Sequence, residues 1–166
     1  FRSIVISIVN VLYTIPSIAL LGVLISVTGI GNKTAIIALT LYALLPVVRS
    51  TYTGIVNIDE KIVEASEAMG STKFQTMYKV KLPLAFPVIF SAIRNMVTMT
   101  IALAGIASFV GAGGLGVAIY RGITTNNANL LLIGSILIAL LALVSDGLLG
   151  IVQRVTFSKG KKSKIG

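Results

Sequence analysis

Four stretches of the chain are apolar for long enough to cross a bilayer, at roughly 4–28, 34–52, 84–110 and 128–152. A hydrocarbon core of about 30 Å takes about 20 residues of helix, which each stretch supplies. Only 53–83 between the second and third breaks the rhythm with more than a short polar turn. Within it, Asp59 and Glu60 precede an apolar pattern at Ile62, Val63, Ala65, Ala68 and Met69, predicting a short helix with acids at its positive end. Gly70 ends that helix. Ser71 or Thr72 then caps a second one, from about Lys73 to Lys81, with Phe74, Met77 and Tyr78 on one stripe, and Leu82-Pro83 ends it and opens the next span. Two short helices joined by a glycine make a compact knob.

The expected fold is therefore an all-α polytopic membrane bundle with a polar helix-turn-helix. Its organisation is a membrane domain over 1–155, which includes the 57–83 segment, and a basic disordered tail over 156–166. Pro16 and Pro46 interrupt the first two spans and leave carbonyls that neighbouring helices or water must satisfy; each reads as a packed kink or as a bend bordering a solute path.

Composition agrees with the pattern. Hydrophobic residues make up 55% and charged residues 11%, against about 25% charged in soluble domains. No cysteine or histidine is present, which removes disulfides, thiolate metal sites and imidazole bases. Of the five acids, Asp59, Glu60, Glu64 and Glu67 fall in the knob and only Asp146 lies in a span. An enzyme would need a nucleophile with its base or a metal, so catalysis by this chain is not expected. A channel or secondary transporter is the other class to weigh, but it needs filter or coupling-ion residues, and the spans offer only Asp146 and Arg94.

Charge gives the orientation. Twelve of the fourteen Lys and Arg residues fall at one side if the spans alternate, with Lys33 and Arg121 on the other. The positive-inside bias then places the knob and the carboxyl tail in the cytoplasm. The net charge of +9 follows the membrane flanks and the tail, without interleaved aromatics, so nucleic acid is not an expected partner and anionic lipid is. Arg94 and Asp146 lie at comparable depth on the last two spans, which predicts a structural ion pair. Gly111, Gly113 and Gly116 fit a GxGxxG spacing, with Gly114 between them, but no strand precedes them and no acid follows at the right distance, so the run predicts an outer loop or re-entrant bend rather than a dinucleotide site.

Glu64-Ala65, Gly70 six positions after Glu64, then Val80, Leu82 and Pro83 resemble the EAA signature of permease subunits in binding-protein-dependent ABC importers. Ser66 stands where the signature's second alanine is usual, and Val80 where isoleucine is usual. The resemblance implies that Glu64, Ala65, Ser66, Gly70, Val80, Leu82 and Pro83 form coupling helices that dock into a cleft on a cytoplasmic ABC ATPase. It implies further partners: a second permease subunit, identical or not, and an extracytoplasmic solute-binding protein. ATP and Mg belong to the ATPase, and this chain needs no cofactor or metal of its own. The setting implied is the bacterial cell membrane.

Thr14-Ile15-Pro16-Ser17-Ile18-Ala19-Leu20, Leu41-Tyr42-Ala43-Leu44-Leu45-Pro46, Leu82-Pro83-Leu84-Ala85-Phe86-Pro87 and Gly111-Ala112-Gly113-Gly114-Leu115-Gly116 are similar to stretches of permeases that import glycine betaine, carnitine or choline. Methionine-importer permeases share similar stretches. The resemblance implies import of a small quaternary-ammonium osmoprotectant by alternating access, with a path bordered by Pro16, Pro46, Gly111, Gly113 and Gly114, and methionine or another small solute as the alternative. The first span resembles the second of the family's five core helices, so an upstream helix is expected.

Overall fold

The computed structural model describes Val11 and residues 14–158. Its described elements are helices: α1 (Ser17–Thr28), α2 (Asn32–Val56), α3 (Glu60–Ala68), α4 (Lys73–Gln75), a π-helical turn (Thr76–Lys81), α5 (Leu82–Ala107), a 3-10 turn (Ser108–Val110), α6 (Gly116–Thr124) and α7 (Ala128–Ser158). Among the described residues three helical stretches, Asn32–Val56, Lys73–Val110 and Ala128–Phe157, have the length and apolarity to cross a membrane.

α5 is the axis of the bundle and packs against α2, α6 and α7. Lipid offers no hydrophobic force to press helices together, so close approach through small residues has to hold them. A Cβ at Gly54 on α2 would lie 3.3 Å from Val88 on α5, and Ala85 and Ala92 on α5 are buried. At the other end, Leu21, Ala35, Ala38, Ala107, Val110 and Ala112 form the buried cluster that ties α1 and α2 to the end of α5. The outer surface is apolar almost everywhere; Leu132, Ile136, Leu140, Leu143, Leu148 and Val155 of α7 are all exposed.

Four expectations change. The first span, placed at 4–28, is not one continuous helix: Val11 and Thr14 are helical, Ile15 and Pro16 are not, and α1 then runs 12 residues, about 18 Å, with the rest of the earlier part outside the described residues. Pro16 interrupts the span as expected, standing immediately before α1, where its carbonyl accepts from Ala19 and Leu20 (2.9 and 3.1 Å). The Tyr42 hydroxyl of α2 donates to the neighbouring Ile15 carbonyl, meeting the acceptor that the break exposes.

Leu82-Pro83, expected to end one helix and begin another, ends nothing. The helix runs unbroken as Lys73–Val110, 38 residues. Pro83 has no N–H to give the carbonyl four residues before it, and the turn just ahead of it widens instead, Leu82 N–H bonding back five residues to the Met77 carbonyl.

The glycine run after α5 is a turn leading into a helix, α6, that the sequence pattern did not separate from its surroundings. Gly116 and Gly122 allow α6 to pack backbone to backbone, because a Cβ at either would come within 2.5 Å of the Gly105 carbonyl oxygen or the Leu131 nitrogen. Finally, α7 extends to Ser158, so the first three residues of the expected disordered tail are helical, and 159–166 lie outside the described residues.

Gly116→Ala is expected to destabilise the purified protein in detergent by about 1–3 kcal/mol, since its Cβ meets backbone that cannot rotate away. Gly113→Ala, with nothing within 4 Å of the new Cβ, is expected to stay within about 0.5 kcal/mol of the parent. Thermal unfolding of the two variants side by side measures the difference.

Candidate functional site

The polar segment folds as a knob on the end of the Lys73–Val110 helix. Asp59 caps α3: its carboxylate accepts from the Lys61 N–H at 3.0 Å, with Glu60 in the first turn. At the other end, Gly70 takes φ +87°, the Gly70 N–H donates to the Glu67 carbonyl (2.9 Å) and the Ser71 N–H to the Ser66 carbonyl (3.2 Å). That paired closure is a Schellman motif, and its left-handed residue is why glycine stands there. No atom lies within 4 Å of a Cβ built on Gly70, so backbone conformation alone makes the demand.

Thr72 then starts the second arm with a reciprocal capping box: its hydroxyl accepts from Gln75 N–H at 3.3 Å, and Gln75 Oε1 accepts from Thr72 N–H at 2.9 Å. The two arms meet at Ser66 and Thr76. Both are buried, and their hydroxyl oxygens lie 3.2 Å apart. Ser66, the residue that departs from the usual alanine, is thus half of a polar latch, and Thr76 is its unforeseen partner.

The latch turns the apolar side chains outward. Met69 is 82% exposed and Phe74 71%, with Ile62 and Tyr78 also exposed. The Phe74 and Tyr78 rings stack with centroids 4.5 Å apart. Glu64 and Ala65 are exposed on the same short helix, whereas Val80 and Leu82 are half-buried at the root of the knob and Pro83 is exposed. A cleft bordered by Tyr52, Val56, Glu60, Val63, Met77 and Lys81 separates the knob from the end of α2. Large apolar side chains thus stand exposed on a polar, closely capped knob, a kind of patch that marks interaction sites on proteins.

The bundle holds a second polar site. Arg94 on α5 forms a two-pronged ion pair with Asp146 on α7, Nε to Oδ1 and Nη2 to Oδ2, both at 2.5 Å. Nη1 faces Gln153 Oε1 at 3.5 Å, and Gly150 lies under the guanidinium, where a Cβ would stand 3.1 Å from Cζ. The five residues considered for a solute path do not converge. Pro16 and Pro46 lie near one level, linked through Ile15 and Tyr42, while Gly111, Gly113 and Gly114 lie at the other end of α2. There Gly31 N–H donates to the Val110 carbonyl (2.8 Å), Gly113 N–H donates to Asn32 Oδ1 (3.0 Å), and Ile30 fills the space that a Cβ at Gly111 would take. Among the described residues no cluster of acids is arranged to hold a metal.

Ser66→Ala is expected to cost about 1–3 kcal/mol by orphaning the buried Thr76 hydroxyl, while Ser66→Ala with Thr76→Val is close to neutral. Amide hydrogen exchange across 59–81 reads the local stability in each case. Gly70→Ala is expected to lower protection in the same segment by about 1–2 kcal/mol through φ alone.

The comparisons with known proteins agree with this architecture. Residues 1–157 match the family described as binding-protein-dependent transport system inner membrane component. The chain is 46% identical over 151 residues to the carnitine transport permease protein OpuCD of Listeria monocytogenes (strain 10403S), covering 90% of this chain and 68% of that protein. It is 44% identical over 163 residues to the choline transport system permease protein OpuBD of Bacillus subtilis (strain 168), covering 98% and 72%. Among solved structures, an inward-facing form of the MetNI methionine ABC transporter aligns with TM-score 0.81 at 31% identity, over 90% of this chain and 72% of that one. The knob, the membrane-length helices and these matches together place the chain in the binding-protein-dependent transport system inner membrane component family, as a membrane permease of the ABC importer type.

Proposed function

We propose that this permease carries a small quaternary-ammonium osmoprotectant into the cell and that the knob at 59–81 is where a cytoplasmic ABC ATPase engages it. The observation that carries the docking reading is the exposed apolar cap of Met69, Phe74 and Tyr78 on a segment whose arms are closed by Ser66 and Thr76. Ordering such a segment costs conformational entropy, and leaving its apolar side chains in water returns nothing for that cost. A partner that covers them does.

A cytoplasmic knob, with α7's last turns on the same side, is part of this reading, and the clustering of Lys and Arg on the knob side of the bundle supports it through the positive-inside bias. Hydrolysis then belongs to the partner. The permease works as a pair, identical or not, around a path between the two subunits, and receives solute from an extracytoplasmic binding protein. The uncovered apolar face of α7 meets lipid or the second subunit in this reading.

The solute class rests on the named relatives: carnitine and choline in the permeases above, and ergothioneine in the Helicobacter pylori (strain G27) permease and binding protein EgtU, 41% identical over 92% of this chain but only 28% of that protein. Carnitine and choline carry a trimethylammonium group. Recognition of such a cation by an aromatic cage falls mainly to the binding protein, since this chain has no tryptophan.

Expressed with its ATPase, the permease carrying Phe74→Asp or Glu64→Lys is expected to lose about ten-fold or more of the copurifying ATPase while remaining in the membrane at parental level. Full assembly and full import by either variant would contradict the docking reading. Titrating the cognate binding protein with carnitine, choline, glycine betaine, ergothioneine and methionine tests the solute class.

A further inference from the structure

We propose that the Arg94–Asp146 pair, seated on Gly150, is the joint that makes α7 follow the knob, so that these three are positioning residues for transport. This rests on the docking reading above and adds what happens beyond the docking surface. The knob's second arm and α5 are one helix, Lys73–Val110, so a push on the knob is delivered to α5 with no loop in between. α7 has no such link. Its main packing is against α5 and α6, and much of its remaining surface is uncovered.

Three levels of contact join α5 to α7 in antiparallel register. Phe86 and Phe90 pack on Phe157, with ring centroids 5.8 Å apart in each pair. Arg94 pairs with Asp146 over Gly150. Further along, Gly105 receives Ile138, whose Cδ1 would be 3.0 Å from a Cβ there.

The first and third levels are apolar and non-directional. In lipid they tolerate sliding, because exchanging one apolar neighbour for another costs little. The middle level is different. A planar guanidinium bonded to both carboxylate oxygens accepts one register only, and pulling this half-buried pair apart within a membrane span leaves each charge without its partner. Gly150 leaves room for the fork: a Cβ there would already press the guanidinium at 3.1 Å from Cζ, and a bulky side chain would displace it. Thr98 adds a tie to the same turn, its hydroxyl donating to the Arg94 carbonyl at 3.2 Å.

The test uses the complete transporter with its ATPase subunits in liposomes, reading solute imported per ATP hydrolysed. Asp146→Asn keeps the shape and removes the charge; with ATPase still bound, solute per ATP is expected to fall about five-fold or more. Gly150→Leu, with both charges intact, is expected to do the same, and Arg94→Asp combined with Asp146→Arg to recover part of the loss. Unchanged solute per ATP in Asp146→Asn would overturn the proposal.

Should a variant fail to accumulate, the native pair is tested directly. The chain has no cysteine, so spin labels at Leu84 and Val155, both exposed, report the α5–α7 distance. That distance is expected to be the same in nucleotide-free and ATP-trapped transporter; a change between them would overturn the joint. Failure of the docking reading looks different, because there the ATPase itself is lost from the knob variants.

Discussion

The continuity of backbone from Lys73 to Val110 is the constraint on which the rest of the structure depends. A docking knob on a flexible loop would absorb a partner's movement as loop rearrangement. In the docking proposed above, a knob built as the first turns of a membrane-length helix has nowhere to put that movement except into the bundle. The proline that would ordinarily break such a rod is accommodated by a wider turn, with Leu82 N–H reaching the Met77 carbonyl. The helix therefore keeps both its exposed head and its packed shaft.

Around that rod, two kinds of contact divide the labour. Small residues set how near the helices come: Gly54 against Val88, Gly116 against the Gly105 carbonyl, Gly122 against Leu131. Polar pairs set which register they adopt. Ser66 with Thr76 fixes the angle between the knob's arms, Asn32 with the Gly113 N–H fixes the far turn, and Arg94 with Asp146 fixes α5 against α7. Hydrophobic burial does little of this work in a bilayer, where an apolar side chain gains nothing by leaving lipid for protein.

Much of this was legible from the sequence because it depends on spacing. The length of the apolar runs gave the membrane helices, the glycine after Glu64 gave the break in the knob, and comparable depth on neighbouring spans gave the pairing of Arg94 with Asp146. What escaped depends on contacts between distant residues. Nothing local says that Thr76 faces Ser66, that Gly150 is a seat rather than a packing glycine, or that Leu82-Pro83 continues a helix through a π turn. α6 escaped because it is only nine residues long and follows a glycine-rich turn, and the backbone approaches at Gly116 and Gly122 that seat it are contacts between distant residues. The five residues considered for a solute path fall at two levels of the chain and do not converge.

The most direct measurement places a photoactivatable residue at Phe74 in cells expressing the whole transporter and identifies what it captures. The account predicts an adduct of the permease with its ATPase subunit, absent when the same residue is placed at Val27, an exposed apolar position on the opposite end of the bundle. Capture of the ATPase from Val27 but not from Phe74, or from neither, would contradict it.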